Sequence, residues 1–286
     1  MPNLLPVGFT YQGVDYRTFE VNLIDGFIER IIHNQMLRSE KPQTWVAMVV
    51  SGLLHTIGDN VVSSDFVESD GKKIPPIVKN IPIVDAGLIL VKGHINTYGS
   101  ELKNQKTKCL HCGRPNVSDL DLNQMPIPTV DLNVPIQSEI VVKLPRGWKR
   151  QLDPEKRNQK ELGWEDKVFD TFVFGIPSLG DALRNENLST TSRVLDFQAK
   201  IVNDRLKRVV CSKDKFEMPS EMFEAYQAGN IFFADRGGLI ANDRMAIRDA
   251  LNKLPQISLQ APVTCNNCKQ DYDASVDYAS FFPLVS

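Results

Sequence analysis

The sequence predicts an α+β protein built from two related α/β modules. Helix-like apolar spacing and strand-like alternation occur in both halves of the chain. In each half an acidic residue, Asp85 or Asp243, opens an apolar segment, and a C-x-x-C pair follows 24 or 22 residues later. An order of elements that occurs twice is typical of an internal repeat. Duplication is one explanation of this order, and chance similarity of two cysteine knuckles is the other.

The first predicted module spans residues 1–138. The segment Tyr11–Arg17 combines turn residues with short alternation, which indicates strand structure. Apolar residues from Phe19 to Ile32 recur at helical spacing, and a second helix is predicted from Pro42 to Ile57. A short strand, Asp119–Leu122, is expected behind the first cysteine pair.

Residues 139–163 are predicted to connect the modules, with a strand at Glu139–Leu144. The segment from Lys143 to Lys160 holds seven basic and two acidic residues and little apolar periodicity. It is either a basic patch or a solvated loop, and the loop is the preferred interpretation.

The second predicted module spans residues 164–286. Alternation predicts a strand at Val168–Phe174, and a stripe of apolar residues predicts a helix from Ser192 to Val210. Another helix is expected from Asn242 to Leu254, because Pro255 prevents its continuation. A final strand-like segment runs from Tyr272 to Phe282.

The composition limits the classes of function. With 286 residues, 42 % hydrophobic residues and a formal net charge of −2, the chain is an ordinary globular protein without a broad electrostatic attraction for nucleic acid or anionic membranes. Its longest strongly apolar run, Trp45–Leu54, is too short to span a bilayer. No signal peptide is evident, so we expect folding in a reducing cytoplasm, where paired cysteines indicate metal or redox chemistry.

Four of the five cysteines form two C-x-x-C pairs, Cys109/Cys112 and Cys265/Cys268. A C-x-x-C turn places two thiolates on one tight loop, where both can reach one tetrahedral metal ion. One turn supplies two ligands and a closed structural site needs four, so we predict that both turns bind a single structural zinc ion per chain. His111 is an alternative ligand, but a side chain inside such a turn usually points away from the metal.

Redox and catalytic roles are less consistent with the pattern. A thioredoxin-like pair opens a helix, whereas both pairs here precede strand-like segments. Four sulfur ligands leave no open position for a catalytic water on zinc. No phosphate loop, dinucleotide motif or nucleophile elbow occurs, so we expect no enzymatic activity and no catalytic residues. The fifth cysteine, Cys211, is expected to be a core or half-buried thiol.

Several segments together resemble a known family. They are Ile83–Leu90, Tyr98-Gly99, Cys109–Gly113 with the Leu-Asp-Leu strand behind it, Cys265–Cys268, and Val276-Asp277 followed by Phe281-Phe282. This order resembles the baseplate hub and tail-assembly proteins of T-even-like contractile-tailed bacteriophages. Lys269 stands where that family usually has a glycine after the second pair.

The resemblance implies a non-enzymatic structural or assembly role in the hub region of a phage tail baseplate. The implied partners are other phage tail and baseplate proteins, with an oligomer in the baseplate and no membrane. The implied location is the host cytoplasm during assembly and then the virion tail baseplate. Tyr278, Phe281 and Phe282 are the candidate partner-binding residues, and a strand packed on the zinc subdomain is the alternative role for them.

A zinc-ribbon nucleic-acid-binding protein is the alternative function. It would need a basic face that also carries aromatic residues. Only the segment from Lys143 to Lys160, which contains Trp148, offers one. A hydrolase or thiol oxidoreductase would need an open metal position or a reactive thiol. Nucleic acid is therefore not the expected partner.

Overall fold

The computed structural model of the chain describes residues 2–26, 28–30, 42–63, 74–127, 131–149, 167–186, 205–218, 239–253 and 260–275. These residues combine helices with antiparallel sheets, as the α+β prediction requires. The chain forms two compact units. The first contains Met1–Ile136, Ser178–Leu183 and Pro255–Ser286, and the second contains Gln137–Pro177 and Arg184–Leu254.

The two units are not consecutive stretches of chain. The predicted division into 1–138, 139–163 and 164–286 follows chain order, whereas the first unit also includes two later segments. One of these later segments carries the second cysteine pair. Both cysteine pairs therefore belong to one compact unit.

The first unit contains a four-stranded antiparallel sheet. Its strands, in spatial order, are β1 (Asn3–Tyr11), β2 (Val14–Val21), β3 (Leu54–Ile57) and β4 (Asn60–Val61). The pairing of β1 with β2 is interrupted between Leu4 and Phe9, where β1 forms a wide bulge. Gly8 lies in this bulge with a φ of 69°, a left-handed conformation that glycine adopts readily.

Three helices in the first part of this unit have both ends within the described residues. They are α1 (Pro42–Leu53), α2 (Pro76–Lys79) and α3 (Ile83–Tyr98). α1 packs against α3 at Gly93, where an added Cβ would lie 2.8 Å from the Leu53 side chain. Within the described residues, no helix is long and apolar enough to cross a membrane.

The second unit contains a sheet of the same kind. Its antiparallel strands, in spatial order, are β10 (Phe216–Glu217), β9 (Leu206–Cys211), β8 (Phe169–Gly175) and β7 (Glu139–Trp148). The edge strand β7 bulges between Lys143 and Trp148. Two further helices lie within the described residues, α4 (Leu179–Glu186) and α5 (Ala241–Asn252), and α5 belongs to this second unit.

Each sheet bulge is bound by a buried aspartate from a helix of the same unit. Asp85 of α3 is fully buried, and its two carboxylate oxygens accept the backbone N–H groups of Val7 and Gly8, both at 2.9 Å. Asp243 of α5 is also fully buried and accepts the N–H of Arg146 at 3.0 Å. These bonds supply partners for backbone donors that the bulges remove from the sheet.

Two hairpins of the first unit carry the cysteine pairs. They are β5 (Glu101–Lys108) with β6 (Pro115–Asp121), and β11 (Gln260–Thr264) with β12 (Asp271–Ser275). A short 3-10 turn, Leu122–Gln124, follows β6. The predicted strand Asp119–Leu122 is thus the end of β6 and the start of this turn.

Two helix predictions in the first half are wrong at a boundary. Phe19 lies in strand β2, and the helical residues begin only after Asp25, whose carboxylate accepts the N–H of Ile28. The helix predicted to reach Ile57 ends at Leu53, because the following residues pair with β2 as β3. Short apolar runs are compatible with both the helical and the strand periodicity, and pairing with a neighbouring strand determines which structure forms.

The long helix predicted in the second half is wrong over its last part. Leu206–Cys211 is strand β9, whereas the apolar spacing predicts a helix through Val210. The preceding part of that prediction, residues 192–204, lies outside the described residues. The strands predicted at Glu139–Leu144 and Val168–Phe174 are confirmed as parts of β7 and β8.

Candidate metal centre

The first cysteine pair lies in the turn between β5 and β6. The N–H of Cys109 donates to the carbonyl of Arg114, and the N–H of Gly113 donates to the carbonyl of Cys109, both at 3.0 Å. Gly113 has a φ of 69°. These bonds close a tight loop that holds Cys109 and Cys112 side by side.

The second pair lies in a turn with the same hydrogen bonds. The N–H of Cys265 donates to the carbonyl of Gln270, and the N–H of Lys269 donates to the carbonyl of Cys265, both at 2.9 Å. Lys269 has a φ of 61°, a conformation that costs a non-glycine residue about 1–2 kcal/mol. The turn therefore keeps its shape although lysine stands where the first turn has Gly113.

The structure brings all four predicted cysteines together. Their sulfur atoms lie within 4.8 Å of one another. Cys109 Sγ is 3.7 Å from Cys268 Sγ, and Cys112 Sγ is 3.8 Å from Cys265 Sγ. A tetrahedral metal with bonds to sulfur of about 2.3 Å requires its sulfur ligands to be about 3.8 Å apart. The cluster can therefore hold one metal ion.

The four thiols are free and differ in exposure. No pair is joined as a disulfide, which would need sulfurs about 2.05 Å apart. The first cysteine of each turn, Cys109 or Cys265, is buried, whereas Cys112 is exposed and Cys268 is partly buried. A metal here would face the core on one side and the surface on the other.

The cluster is electrostatically asymmetric in the absence of a cation. Hydrogen bonds from the backbone N–H groups of Cys268 and Asn267 lower the pKa of Cys265 to about 6, although burial opposes them. The N–H of Gln270 favours the Cys268 thiolate, but burial and bonds to neighbouring thiols outweigh it and raise the pKa of Cys268 to about 11. A cation among the sulfurs favours ionisation of all four.

His111 is directed at the protein backbone. Its Nε2 lies 2.9 Å from the carbonyl oxygen of Asp271, a contact that needs a proton on this nitrogen. The four sulfurs therefore form the cluster without the imidazole, as the sequence predicts.

A polar network lies beside the cysteines, and the sequence analysis did not identify it. The buried Asn116 side chain donates to the Tyr272 hydroxyl at 3.1 Å, and Thr107 Oγ1 lies 2.6 Å from that hydroxyl. Asn116 Oδ1 also accepts the N–H of Asn266 at 3.0 Å. Nothing in the local sequence marks these residues, because their partners lie about 150 residues away.

The other candidate residues are placed elsewhere or lie outside the described chain. Cys211 is buried at the end of β9, as expected of a core thiol. Tyr278, Phe281 and Phe282 lie outside the described residues, as does the part of the basic segment beyond Lys149. The described start of that segment belongs to strand β7.

Comparison with known proteins finds no match for this chain among family models, curated proteins or solved structures.

Proposed function

We propose that this chain is a non-enzymatic structural protein with two related α/β modules, in which one structural zinc ion joins the C-x-x-C hairpins of the two modules within the first compact unit. The main support for this proposal is the spacing of the sulfurs in opposite turns. The two Sγ–Sγ distances, 3.7 and 3.8 Å, fit tetrahedral coordination of one metal ion. Four thiolates favour zinc or iron over magnesium and calcium. A site closed by four protein ligands supplies folding free energy rather than a reactive water.

A five-residue motif supports the relation between the two halves of the chain, with its second copy in residues 139–163. Leu5–Phe9 and Leu144–Trp148 share the pattern L-P-x-G followed by an aromatic residue. Each motif forms the bulge at the edge of a four-stranded antiparallel sheet. In chain order, each sheet is followed by a helix with a buried aspartate and then by a hairpin with a C-x-x-C turn.

We further propose that the protein acts in the hub region of a contractile phage tail baseplate, either as a component or during assembly. This part rests on the resemblance of its cysteine and aromatic segments to that family, which is an analogy. A metal that joins distant segments makes a rigid body, and rigid surfaces bind partners at a lower entropic cost. The partners are other tail and baseplate proteins, met in the host cytoplasm and then in the virion.

The charges around the site do not favour nucleic-acid binding. Five basic side chains of the two hairpins are matched by five carboxylates. The basic residues are Lys103, Lys106, Lys108, Arg114 and Lys269, and the acidic residues are Glu101, Asp119, Asp121, Asp271 and Asp273. A nucleic-acid interface needs a clear excess of positive charge.

Elemental analysis of the purified chain tests the zinc proposal. We expect one zinc per chain, and replacement of any of Cys109, Cys112, Cys265 and Cys268 by serine should remove it and lower the unfolding temperature by roughly 10 °C or more. Cys211→Ser is the matched control, because this buried cysteine lies outside the cluster, and it should retain the zinc. A chain with iron, with no metal or with two zinc ions would contradict the proposal.

The baseplate role is tested in a contractile-tailed phage that encodes the chain. Deletion of the gene should prevent assembly of infectious tails, and normal tails would contradict the role. A chain truncated before Phe281 then tests the aromatic residues. If it folds and binds zinc but baseplates fail to form, the residues contact a partner. If it unfolds, they belong to the core.

A further inference from the structure

The contacts between the two hairpins are reciprocal. Let each cysteine of the first turn correspond to the cysteine at the same place in the second, Cys109 to Cys265 and Cys112 to Cys268. The contact between Cys109 and Cys268 then corresponds to the contact between Cys265 and Cys112. The two sulfur distances, 3.7 and 3.8 Å, are nearly equal. The strands follow the same rule, since β6 contacts β11 and β5 contacts β12.

The polar contacts at the tips of the turns are reciprocal in the same way: equivalent residues of the two turns contact equivalent residues of the opposite hairpin. His111 and Asn267 are each the third residue of their turn, counted from the first cysteine. His111 Nε2 lies 2.9 Å from the carbonyl of Asp271, and Asn267 Nδ2 donates to the carbonyl of Pro115 at 3.2 Å. Asp271 and Pro115 are themselves equivalent, because each is the first residue of the second strand of its hairpin.

One pair of equivalent positions is in mutual contact. Asn116 is the second residue of β6 and Tyr272 is the second residue of β12, and the Asn116 amide donates to the Tyr272 hydroxyl at 3.1 Å. A residue contacts its own counterpart only where a two-fold axis passes close by. Reciprocity of this kind defines an isologous interface, which normally joins two copies of one subunit.

From this reciprocity, we infer that the metal centre is a pseudo-two-fold interface in which each hairpin presents a surface that fits a second hairpin of the same kind. The inference rests on the proposed metal site and adds its symmetry. The axis passes between the sulfurs and beside the pair formed by Asn116 and Tyr272. The two turns are therefore interchangeable as metal-binding units.

The residues on the axis make the pair asymmetric. Thr107 lies 2.6 Å from the Tyr272 hydroxyl, whereas the equivalent residue opposite Tyr272 in its own hairpin is Val263, which has no hydroxyl. The first hairpin thus supplies two polar partners and the second supplies the phenol that they bind. An unlike pair satisfies these groups, whereas two identical hairpins leave a buried polar group without its partner.

Exchange of the hairpin tips in the full chain tests this inference. Segments 107–116 and 263–272 are both ten residues long, so each can replace the other without a change in cysteine spacing. We expect the exchanged chain to bind one zinc with the affinity of the original chain. The control carries segment 107–116 at both places. It keeps all four cysteines but loses Tyr272, and its zinc affinity should fall by about tenfold or more.

Competition with a chromophoric chelator measures these affinities, and circular dichroism measures the fold. An exchanged chain that folds but binds zinc as weakly as the control would overturn the inference.

If the exchanged chain does not fold, the double variant His111→Asn with Asn267→His provides a second test. Both side chains are exposed, so this exchange should not disturb folding. It should match the original affinity, and a loss as large as that of His111→Ala with Asn267→Ala would overturn the inference. An original chain without metal would instead contradict the proposed function.

Discussion

The bulge of β1 and the bulge of β7 have the same register. In the first sheet Leu4 pairs with Thr18 and the next pair is Phe9 with Tyr16, so that residues 5–8 face only Arg17. In the second sheet Lys143 pairs with Thr171 and the next pair is Trp148 with Phe169, so that residues 144–147 face only Asp170. Four residues oppose one in both sheets. The aromatic pairs that close the bulges have ring centroids 5.2 and 5.9 Å apart.

The glycine of each bulge is required for two reasons. Gly8 and Gly147 have φ values of 69° and 75°, which disfavour other residues. An added Cβ would lie 2.8 Å from the carbonyl oxygen of Tyr16 or of Phe169, respectively. Both constraints come from the backbone, so they are the same in the two sheets although the surrounding side chains differ.

The aspartates that bind the bulges differ in their hydrogen bonds. Both oxygens of Asp85 have a backbone donor, whereas Asp243 Oδ1 accepts one N–H and Asp243 Oδ2 has no partner among the described residues. Burial raises the pKa of Asp85 to about 7, although its two N–H donors oppose the rise. The comparison indicates that the position of the carboxylate is common to both units, while the strength of its binding depends on the local packing.

Removal of the aspartates should have the largest effect on stability. Asp85→Ala leaves two buried N–H groups without an acceptor, at about 1–3 kcal/mol each. Asp243→Ala leaves one N–H group, that of Arg146, whose hydrogen bond is only partly buried, so its cost should be at most about half as large. Chemical denaturation of both variants measures the difference. Equal losses would show that the two bulges are bound equally, contrary to the hydrogen bonds described above.

Substitution of the bulge glycines should have the next largest effect. We expect Gly8→Ala and Gly147→Ala to lower the free energy of unfolding by similar amounts, about 1–3 kcal/mol. Gly13→Ala is the matched control, because Gly13 has a φ of 79° but no atom within 4 Å of the added Cβ. Its loss should be smaller, and a loss as large as that of Gly8→Ala would mean that the contact with Tyr16 contributes nothing.

The pH dependence of stability should show the smallest effect when it is expressed per pH unit. The pKa of Asp85 is about 7 in the folded chain, above the ordinary value of 3.8 for an aspartate side chain, so the folded state binds the additional proton between these limits. Stability should therefore fall as pH rises from about 4 to 7, by at most about 1.4 kcal/mol per pH unit from this group. Metal release also depends on pH, so the measurement is the difference in slope between the original chain and Asp85→Asn. Identical slopes would contradict the raised pKa.

The cluster of four cysteines was predictable because its signal in the sequence is local. Two cysteines separated by two residues can place both sulfurs on one tight turn, and two such turns supply the four ligands that a tetrahedral site needs. The fit of the second turn depended on the backbone alone, which is why Lys269 could replace glycine without loss of the hydrogen bonds. No local sequence pattern identifies Asn116 or Tyr272, because the hydrogen bond between them forms only when the two hairpins pack together.

The sequence identified the two buried aspartates but not the backbone groups that they bind. Asp85 and Asp243 were recognisable as acidic residues that open apolar segments, but their donors are 78, 77 and 97 residues away. The L-P-x-G motif was present in both halves and too short to detect by inspection. The helix boundaries predicted at Phe19, Ile57 and Val210 were wrong. Each of these residues lies in a strand, and apolar spacing along the chain gives no information about the neighbouring strand with which it pairs.

The distance along the chain between the two cysteine turns has a consequence for biosynthesis. Cys112 and Cys265 are separated by 152 residues. At about 5–20 residues per second, a ribosome needs about 8–30 s to translate this interval. During that time the first turn can offer a metal only two sulfurs, so an ion bound there remains exchangeable with cellular thiols. The four sulfurs can come together only after both ends of the interval have emerged and folded, so a metal held by all four would report on the integrity of the newly made chain.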